Sequence, residues 1–228
     1  MKYFIIVFSL LLLTGCARTI SSGDDVINLE FKISTQGPIN TSNTIYLLVF
    51  SSTQLILSEE ATLDDYFIFP GKNFDDSILA NLPKKNINYY YTHYFQHWKQ
   101  FLYLTNNSIE LTTASANSFD ASIATIEDHQ SIEPSQGFEG IQSIHADTLT
   151  ITVDITQLGY EESDTVYFSI LTFEKDTSSE AGIIKDFLTN DSSHVIDLTK
   201  NQLNSGNNSE NTSLDTHHDI VQWQYRVY

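Results

Sequence analysis

Apolar and polar residues alternate strictly, with a period of two, along three segments of the chain. In each segment the apolar side chains would line one face of an extended strand and the polar side chains the other. The pattern therefore predicts strands that bury one face and leave the other in water. These segments cover residues 27–33, 149–155 and 221–227.

Two other runs, residues 45–50 and 166–173, are apolar or aromatic on both faces. A strand that is covered on both sides has this pattern, so we predict that both are central strands of a sheet. Two further strands are predicted over 101–105 and 109–112. The residues between them, Asn106-Asn107-Ser108, favour a hairpin turn because Asn tolerates a positive φ.

Helical signals are few. Thr177 and Glu180 have the spacing of a capping box and predict a short helix over 181–188. A second short helix is predicted over 74–82, because Pro83 would end it.

Two long stretches, residues 114–146 and 199–218, show no sustained periodicity and are predicted to be loops. The first contains Pro134 and two glycines. The second is rich in Asn, Ser and Thr, which predicts a solvated and mobile segment.

Many strands, few helices and no alternation of strand with helix predict a mostly β protein, an antiparallel β-sandwich with one or two short helices. Strands with one apolar face need a second layer to cover that face. Because the first and last predicted strands both alternate, we assign residues 26–228 to a single domain. The hydrophobic content of 41% is sufficient for a core.

Charge and cysteine content exclude several classes of protein. The 29 acidic and 11 basic residues give a net charge of −18, so binding of nucleic acid through a basic face is excluded. A single cysteine excludes a disulfide framework and any cysteine-rich zinc or iron–sulfur site.

The N-terminus has the layout of an export signal. Lys2 precedes an apolar run over residues 3–13, and Thr14-Gly15-Cys16 follow. As a helix, these 11 residues, of which only Ser9 is polar, would rise only about 16 Å, which is roughly half of a bilayer core. The run is therefore interpreted as a signal segment and not as a membrane span.

The sequence Leu13-Thr14-Gly15-Cys16 resembles the lipobox of bacterial lipoproteins. The resemblance implies a signal peptide over 1–15, cut before Cys16, whose thiol takes a diacylglycerol with long acyl chains such as palmitate. Residues 16–25 would then be a lipidated, flexible tether of up to about 30 Å. It also implies the cell envelope as location, with a lipid bilayer as partner. In a double-membrane bacterium, Ala17 after the cysteine would favour the outer membrane.

Aromatic side chains are concentrated between residues 89 and 103, and the Tyr-rich run favours a strand. Flat rings on a sheet can stack on sugars, so Tyr91, Tyr94 and Trp98 are candidate ligand-binding residues on a glycan platform. The competing interpretation is that these rings pack in the core and across strands.

Metal-binding signals are weak. Asp215, His217 and Asp219 alternate and could meet a cation together if the segment is extended, although a solvated polar tail has the same composition. Acidic doublets recur near the predicted strand ends, where calcium could be held as a structural ion. None has EF-hand spacing, and a charged solubilising surface explains them as well. We predict no metal site and no cofactor, with structural calcium left open.

Motifs of enzymes are mostly missing: the chain has no Gly-x-Ser-x-Gly elbow, phosphate-binding loop or dinucleotide fingerprint. The body, over 149–159 and 166–173, loosely resembles exported bacterial β-modules that bind glycans or proteins. We therefore predict a membrane-anchored exported lipoprotein with a non-catalytic binding or structural role, with a glycan or envelope protein as partner and no catalytic residues. The alternative is a hydrolase acting on envelope or extracellular polysaccharide, which needs only two acids brought together by the fold.

Overall fold

The computed structural model describes residues 27–57, 63–64, 66–69, 95, 97–105, 108–113, 133–161, 163–176, 181–198, 201 and 203–228. Several predictions lie outside these residues: the signal peptide, Cys16 and the tether, the helix over 74–82, and the side chains of Tyr91 and Tyr94.

Twelve strands occur within the described part of the chain. In chain order they are β1 (Asn28–Thr35), β2 (Thr44–Ser51), β3 (Tyr66–Ile68), β4 (Gln100–Thr105), β5 (Ser108–Thr113), β6 (Gly140–His145), β7 (Thr148–Asp154), β8 (Thr165–Lys175), β9 (Ala181–Phe187), β10 (Val195–Asp197), β11 (Leu203–Asn207) and β12 (Ile220–Val227). A single turn of 3-10 helix, Ile155–Leu158, follows β7.

The strands form two antiparallel sheets that pack face to face, so the predicted β-sandwich is confirmed. The smaller sheet has the order β11-β12-β1-β7-β6. The larger has the order β3-β9-β8-β2-β4-β5, and β10 pairs with the first residues of β8. Since β1 pairs with β12, with Leu29 opposite Val227, the two ends of the described chain belong to one sheet.

The three alternating segments are β1, β7 and β12, as predicted. Their apolar side chains point into a core between the sheets, and their polar side chains line the outer face of the smaller sheet. On that outer face, Lys32 and Glu30 form an ion pair at 3.2 Å. The predicted hairpin is also present, because β4 pairs with β5 and Thr105 lies opposite Ser108.

The larger sheet is buried on both faces, as the two doubly apolar runs predict. Every residue of β2 is buried. Tyr46, Leu48 and Phe50 belong to the core between the sheets, whereas Leu47 and Val49 belong to a second apolar cluster on the far side. That second cluster is covered by residues from outside the sheet, among them Phe69 and Phe95. The central positions of β2 and β8 follow from this double coverage.

The helix predicted over 181–188 is wrong, because Ala181–Phe187 is the strand β9. Gly182 and the β-branched pair Ile183-Ile184 all disfavour a helix, and they outweigh a capping-box pattern. Gly182 also lies so close to β8 that an added Cβ would stand 2.7 Å from the carbonyl oxygen of Glu174. Pairing with β8 therefore decides the structure of this segment.

The two predicted loops are also partly wrong, because each contains an edge strand. β6 lies within 114–146 and pairs with β7; β11 lies within 199–218 and pairs with β12. Their side chains are mostly exposed, with Ile141 72% and Leu203 65% accessible. Edge strands held by backbone pairing need no alternation of apolar residues, so the sequence pattern did not reveal them. No helix in the described residues has the length and apolar character needed to cross a membrane.

Candidate functional site

A cleft of about 450 Å³ opens beside the end of β8, next to the segment that leads into β12. Three stretches of chain line it: the connection between β1 and β2, the last residues of β8 with Asp176, and the segment before β12. Its lining residues are Ser42, Asn43, Glu174, Lys175, Asp176, Asp215, His217 and His218.

The segment before β12 is fixed by hydrogen bonds to five successive carbonyl groups. Except for the first, which comes from within the segment, these bonds are donated by other parts of the sandwich. The side chains of residues 215–218 are therefore presented from a backbone whose position the fold determines. The donors are His218 N–H to Asp215 (2.8 Å), Gly37 N–H to Thr216 (2.8 Å), Tyr46 Oη–H to His217 (2.9 Å), Thr172 Oγ1–H to His218 (2.7 Å) and Gln36 N–H to Asp219 (2.9 Å).

The contact between Gly37 and Thr216 leaves no room for a side chain at position 37. An added Cβ would stand 2.0 Å from Thr216 Oγ1 and 2.6 Å from Thr216 Cβ. We expect Gly37→Ala to lower the free energy of unfolding by about 1–3 kcal/mol, measured by urea denaturation, because the backbone must shift. The double variant with Thr216→Gly should regain part of this loss. Equal losses in the single and double variants would contradict a direct clash.

Asp215, His217 and His218 form a compact group of potential metal ligands. One carboxylate oxygen and one ring nitrogen from each histidine all lie within 4.8 Å of one another. The two imidazole rings have their centroids 4.2 Å apart and are tilted by 44°. Asp215 is exposed, His217 half-buried and His218 buried, so the group extends from the surface into the protein.

His218 has a buried nitrogen without a partner. The residue is only 3% exposed, and its Nε2 has no hydrogen-bond partner. Burial, together with the neighbouring His217, lowers the pKa of this histidine to about 4. The ring is therefore neutral at physiological pH and carries an unused polar atom.

The carboxylates on the opposite wall of the cleft are already paired. The carboxylate of Glu174 forms an ion pair with Lys185 Nζ at 3.0 Å, and the same ammonium group forms a second ion pair with Asp64 at 3.1 Å. Burial opposes the charge of Lys185, but these two carboxylates outweigh it and raise its pKa. Asp176 accepts a hydrogen bond from the hydroxyl of Tyr66. The paired acids hold their positions and add negative charge near the histidines.

Asp219 does not join this group, although the sequence pattern placed it with Asp215 and His217. It is fully buried, and its Oδ2 accepts the N–H of Asn211 at 3.0 Å. It lies near Asp186, whose Oδ2 accepts the N–H of Ile220 at 2.8 Å. Burial, together with the charge of Asp219, raises the pKa of Asp186 to about 7.

The structure thus brings Asp215 and His217 together, as the sequence pattern allowed, but the third member of the group is His218 and not Asp219. Strand alternation would point residues 217 and 218 in opposite directions. Residues 216–218 form a turn instead, and a turn can direct consecutive side chains to one side. The paired histidines in the sequence were the available signal, but the assumption of an extended segment concealed their convergence.

The burial of Trp98 favours the interpretation that this ring packs in the core over the interpretation that it contacts a ligand. Trp98 is 3% exposed and packs in the outer cluster of the larger sheet, 5.1 Å from the ring of Phe95 and 5.6 Å from that of Phe101. The backbone N–H of Trp98 donates to the carbonyl of Phe95 at 2.9 Å and closes a turn that precedes β4. Phe95 and Trp98 cover the sheet, because the sheet's second apolar face requires a cover. Tyr91 and Tyr94 lie outside the described residues.

Searches against family models, curated proteins and solved structures find no match to this chain.

Proposed function

We propose that this protein is a lipid-anchored, exported protein of the bacterial cell envelope with a non-catalytic binding role. The observation that carries the proposal is Leu13-Thr14-Gly15-Cys16 directly behind an 11-residue apolar run. The small residues give a signal peptidase access to the backbone, and the thiol accepts the lipid. Two or three acyl chains would hold the protein on a bilayer, since each buried methylene contributes about 0.8 kcal/mol. In a double-membrane bacterium the anchor would lie in the outer membrane.

The cleft supports the binding role. It is concave and is lined by charged and polar side chains, and Tyr46 and Thr172 of the larger sheet fix the backbone that carries the two histidines. Sites of this kind recognise small ligands through a few fixed polar groups. A tether over residues 16–25 would let the cleft stand away from the lipid surface and face a solute or an envelope partner, such as a glycan or a protein.

A polysaccharide hydrolase would need two carboxyl groups facing a cleft, one of them with a raised pKa. Among the described residues, Asp186 has a raised pKa of about 7 and lies near Asp219. Asp219 is fully buried, so this pair is closed to a sugar chain. The Asp186–Asp219 pair therefore gives no support to glycoside hydrolysis.

Labelling cells with an alkyne-bearing fatty acid tests the anchor. We expect the wild-type chain to take up the label and Cys16→Ser to take up none, because the thiol is the acceptor. The matched control moves the cysteine: Cys16→Ser with Ser21→Cys keeps one thiol in the tether and should also remain unlabelled. Equal labelling of the wild type and Cys16→Ser would overturn the proposal.

A further inference from the structure

The buried face of the cleft holds a nitrogen that the fold leaves unpaired. An unsatisfied buried polar atom costs about 1–3 kcal/mol, so proteins rarely keep one without a use. The Nε2 atom of His218 is such an atom, on a residue that lines the cleft beside His217 and Asp215. The unpartnered nitrogen thus belongs to one of the three residues whose potential ligand atoms converge within 4.8 Å.

We propose that Asp215, His217 and His218 bind a zinc ion, and that this ion is the ligand of the cleft or the point at which a further ligand attaches. The proposal rests on the binding role proposed above and names the chemistry of that site. Three protein ligands leave a fourth tetrahedral position for water or for a donor atom of a bound molecule.

The ligand types select zinc over calcium. Calcium takes six to eight oxygen ligands, whereas this group offers two imidazole nitrogens and one carboxylate. Imidazole suits zinc and other late transition metals, and a tetrahedral arrangement of nitrogen and oxygen is usual for zinc. Structural calcium, which the acidic doublets left open, is therefore not the ion we assign to this cleft.

The geometry needs only a small contraction to hold the ion. Ligand atoms around a tetrahedral zinc, at bonds of about 2.0–2.1 Å, stand roughly 3.3 Å apart. The ligand atoms of the three residues now lie up to 4.8 Å apart. Rotation of the exposed Asp215 side chain and the half-buried His217 side chain would shorten these distances. His218 is held by packing, and its backbone is fixed through Thr172. One ligand is thus rigid and two can adjust.

Charge around the cleft also favours a cation. Three acids and one lysine, Lys175, line the cleft: Glu174 and Asp176 lie on the opposite wall, and Asp215 is one of the ligands. The whole chain carries a net charge of −18. Lys185 holds Glu174 in place and Tyr66 holds Asp176, so we do not assign these two acids as ligands of the ion. They supply a negative potential while Asp215 and the histidines supply the bonds.

Zinc titration of the purified full chain tests the proposal. The chain is prepared metal-free in detergent with Cys16→Ser, so that a free thiol cannot bind the metal, and Zn²⁺ is added in competition with a chromophoric chelator. We expect one zinc per chain. Asp215→Asn and His217→Ala, which alter accessible side chains, should each weaken binding about tenfold or more. His145→Ala, which removes an exposed histidine of β6, should leave the affinity unchanged.

Cobalt substitution gives an independent reading of the geometry. Co²⁺ bound by the wild-type ligands should show the intense visible absorption of a tetrahedral site, which His217→Ala should lose. Thermal unfolding of each variant verifies that it is folded. No saturable zinc binding, or binding that is unchanged in both Asp215→Asn and His217→Ala, would overturn the zinc site. Such a result would leave the fatty-acid labelling of Cys16 unaffected, so the two proposals fail separately.

Discussion

Replacing Phe168 with alanine is expected to lower the free energy of unfolding by about 4 kcal/mol, because it removes a large ring from a packed interior. Phe168 lies on β8 in the core between the sheets and is fully buried. Its ring contacts Phe31 and Trp223 edge-on, each at a centroid distance of 4.9 Å. Phe168 belongs to the larger sheet, whereas Phe31 and Trp223 belong to the smaller one. Truncation of Phe168 therefore leaves a cavity between the sheets that neither sheet can close alone.

Urea denaturation of the purified chain measures this loss. Leu203→Ala is the control, because it truncates an apolar side chain that is 65% exposed on the edge strand β11. Its effect should stay within about 0.5 kcal/mol. Similar small losses for Phe168→Ala and Leu203→Ala would contradict the placement of the core between the two sheets.

Asp186→Asn is expected to flatten the pH dependence of stability. In the folded protein, burial and the nearby charge of Asp219 raise the pKa of Asp186 to about 7, from 3.8 in an exposed chain. Between these two values the folded protein keeps a proton that the unfolded chain has released. The contribution of Asp186 to stability is therefore complete below pH 3.8 and is lost as the pH rises through 7.

The size of this effect is up to about 4 kcal/mol between pH 4 and pH 8. Relative to the wild type, Asp186→Asn should thus gain stability as the pH rises over that interval. The measurement is the free energy of unfolding in urea at both pH values. Glu139→Gln removes an exposed carboxylate as the control. A difference between wild type and Asp186→Asn that does not change with pH would contradict a buried Asp186–Asp219 pair.

Periodicity predicted the strands whose side chains differ between the two faces or are apolar on both. It succeeded for β1, β7 and β12 and for the central strands β2 and β8, because burial dictates those patterns. It failed for the edge strands β6 and β11, which are held by backbone hydrogen bonds that any side chain permits. The capping-box pattern wrongly assigned β9 to a helix, because the pairing of this segment with β8 cannot be seen in the local sequence.

The candidate site was only partly predictable for a related reason. Asp215 and His217 were identified from their spacing, but their meeting with His218 depends on a turn that distant residues stabilise. Tyr46 and Thr172, on two strands of the larger sheet, fix that turn by bonds to the carbonyls of 217 and 218. For the same reason, the sequence did not decide whether Trp98 is buried or exposed. Trp98 covers the second apolar face of the larger sheet, and that face forms only when the strands have paired.

Mass spectrometry of the N-terminal peptide from the membrane-extracted protein tests the central claim, a lipid-bearing Cys16 at the start of the mature chain. The account predicts a peptide that begins at Cys16 and carries the mass of a diacylglyceryl group. A peptide that still joins Gly15 to Cys16, or an unmodified Cys16 in the exported protein, would contradict it.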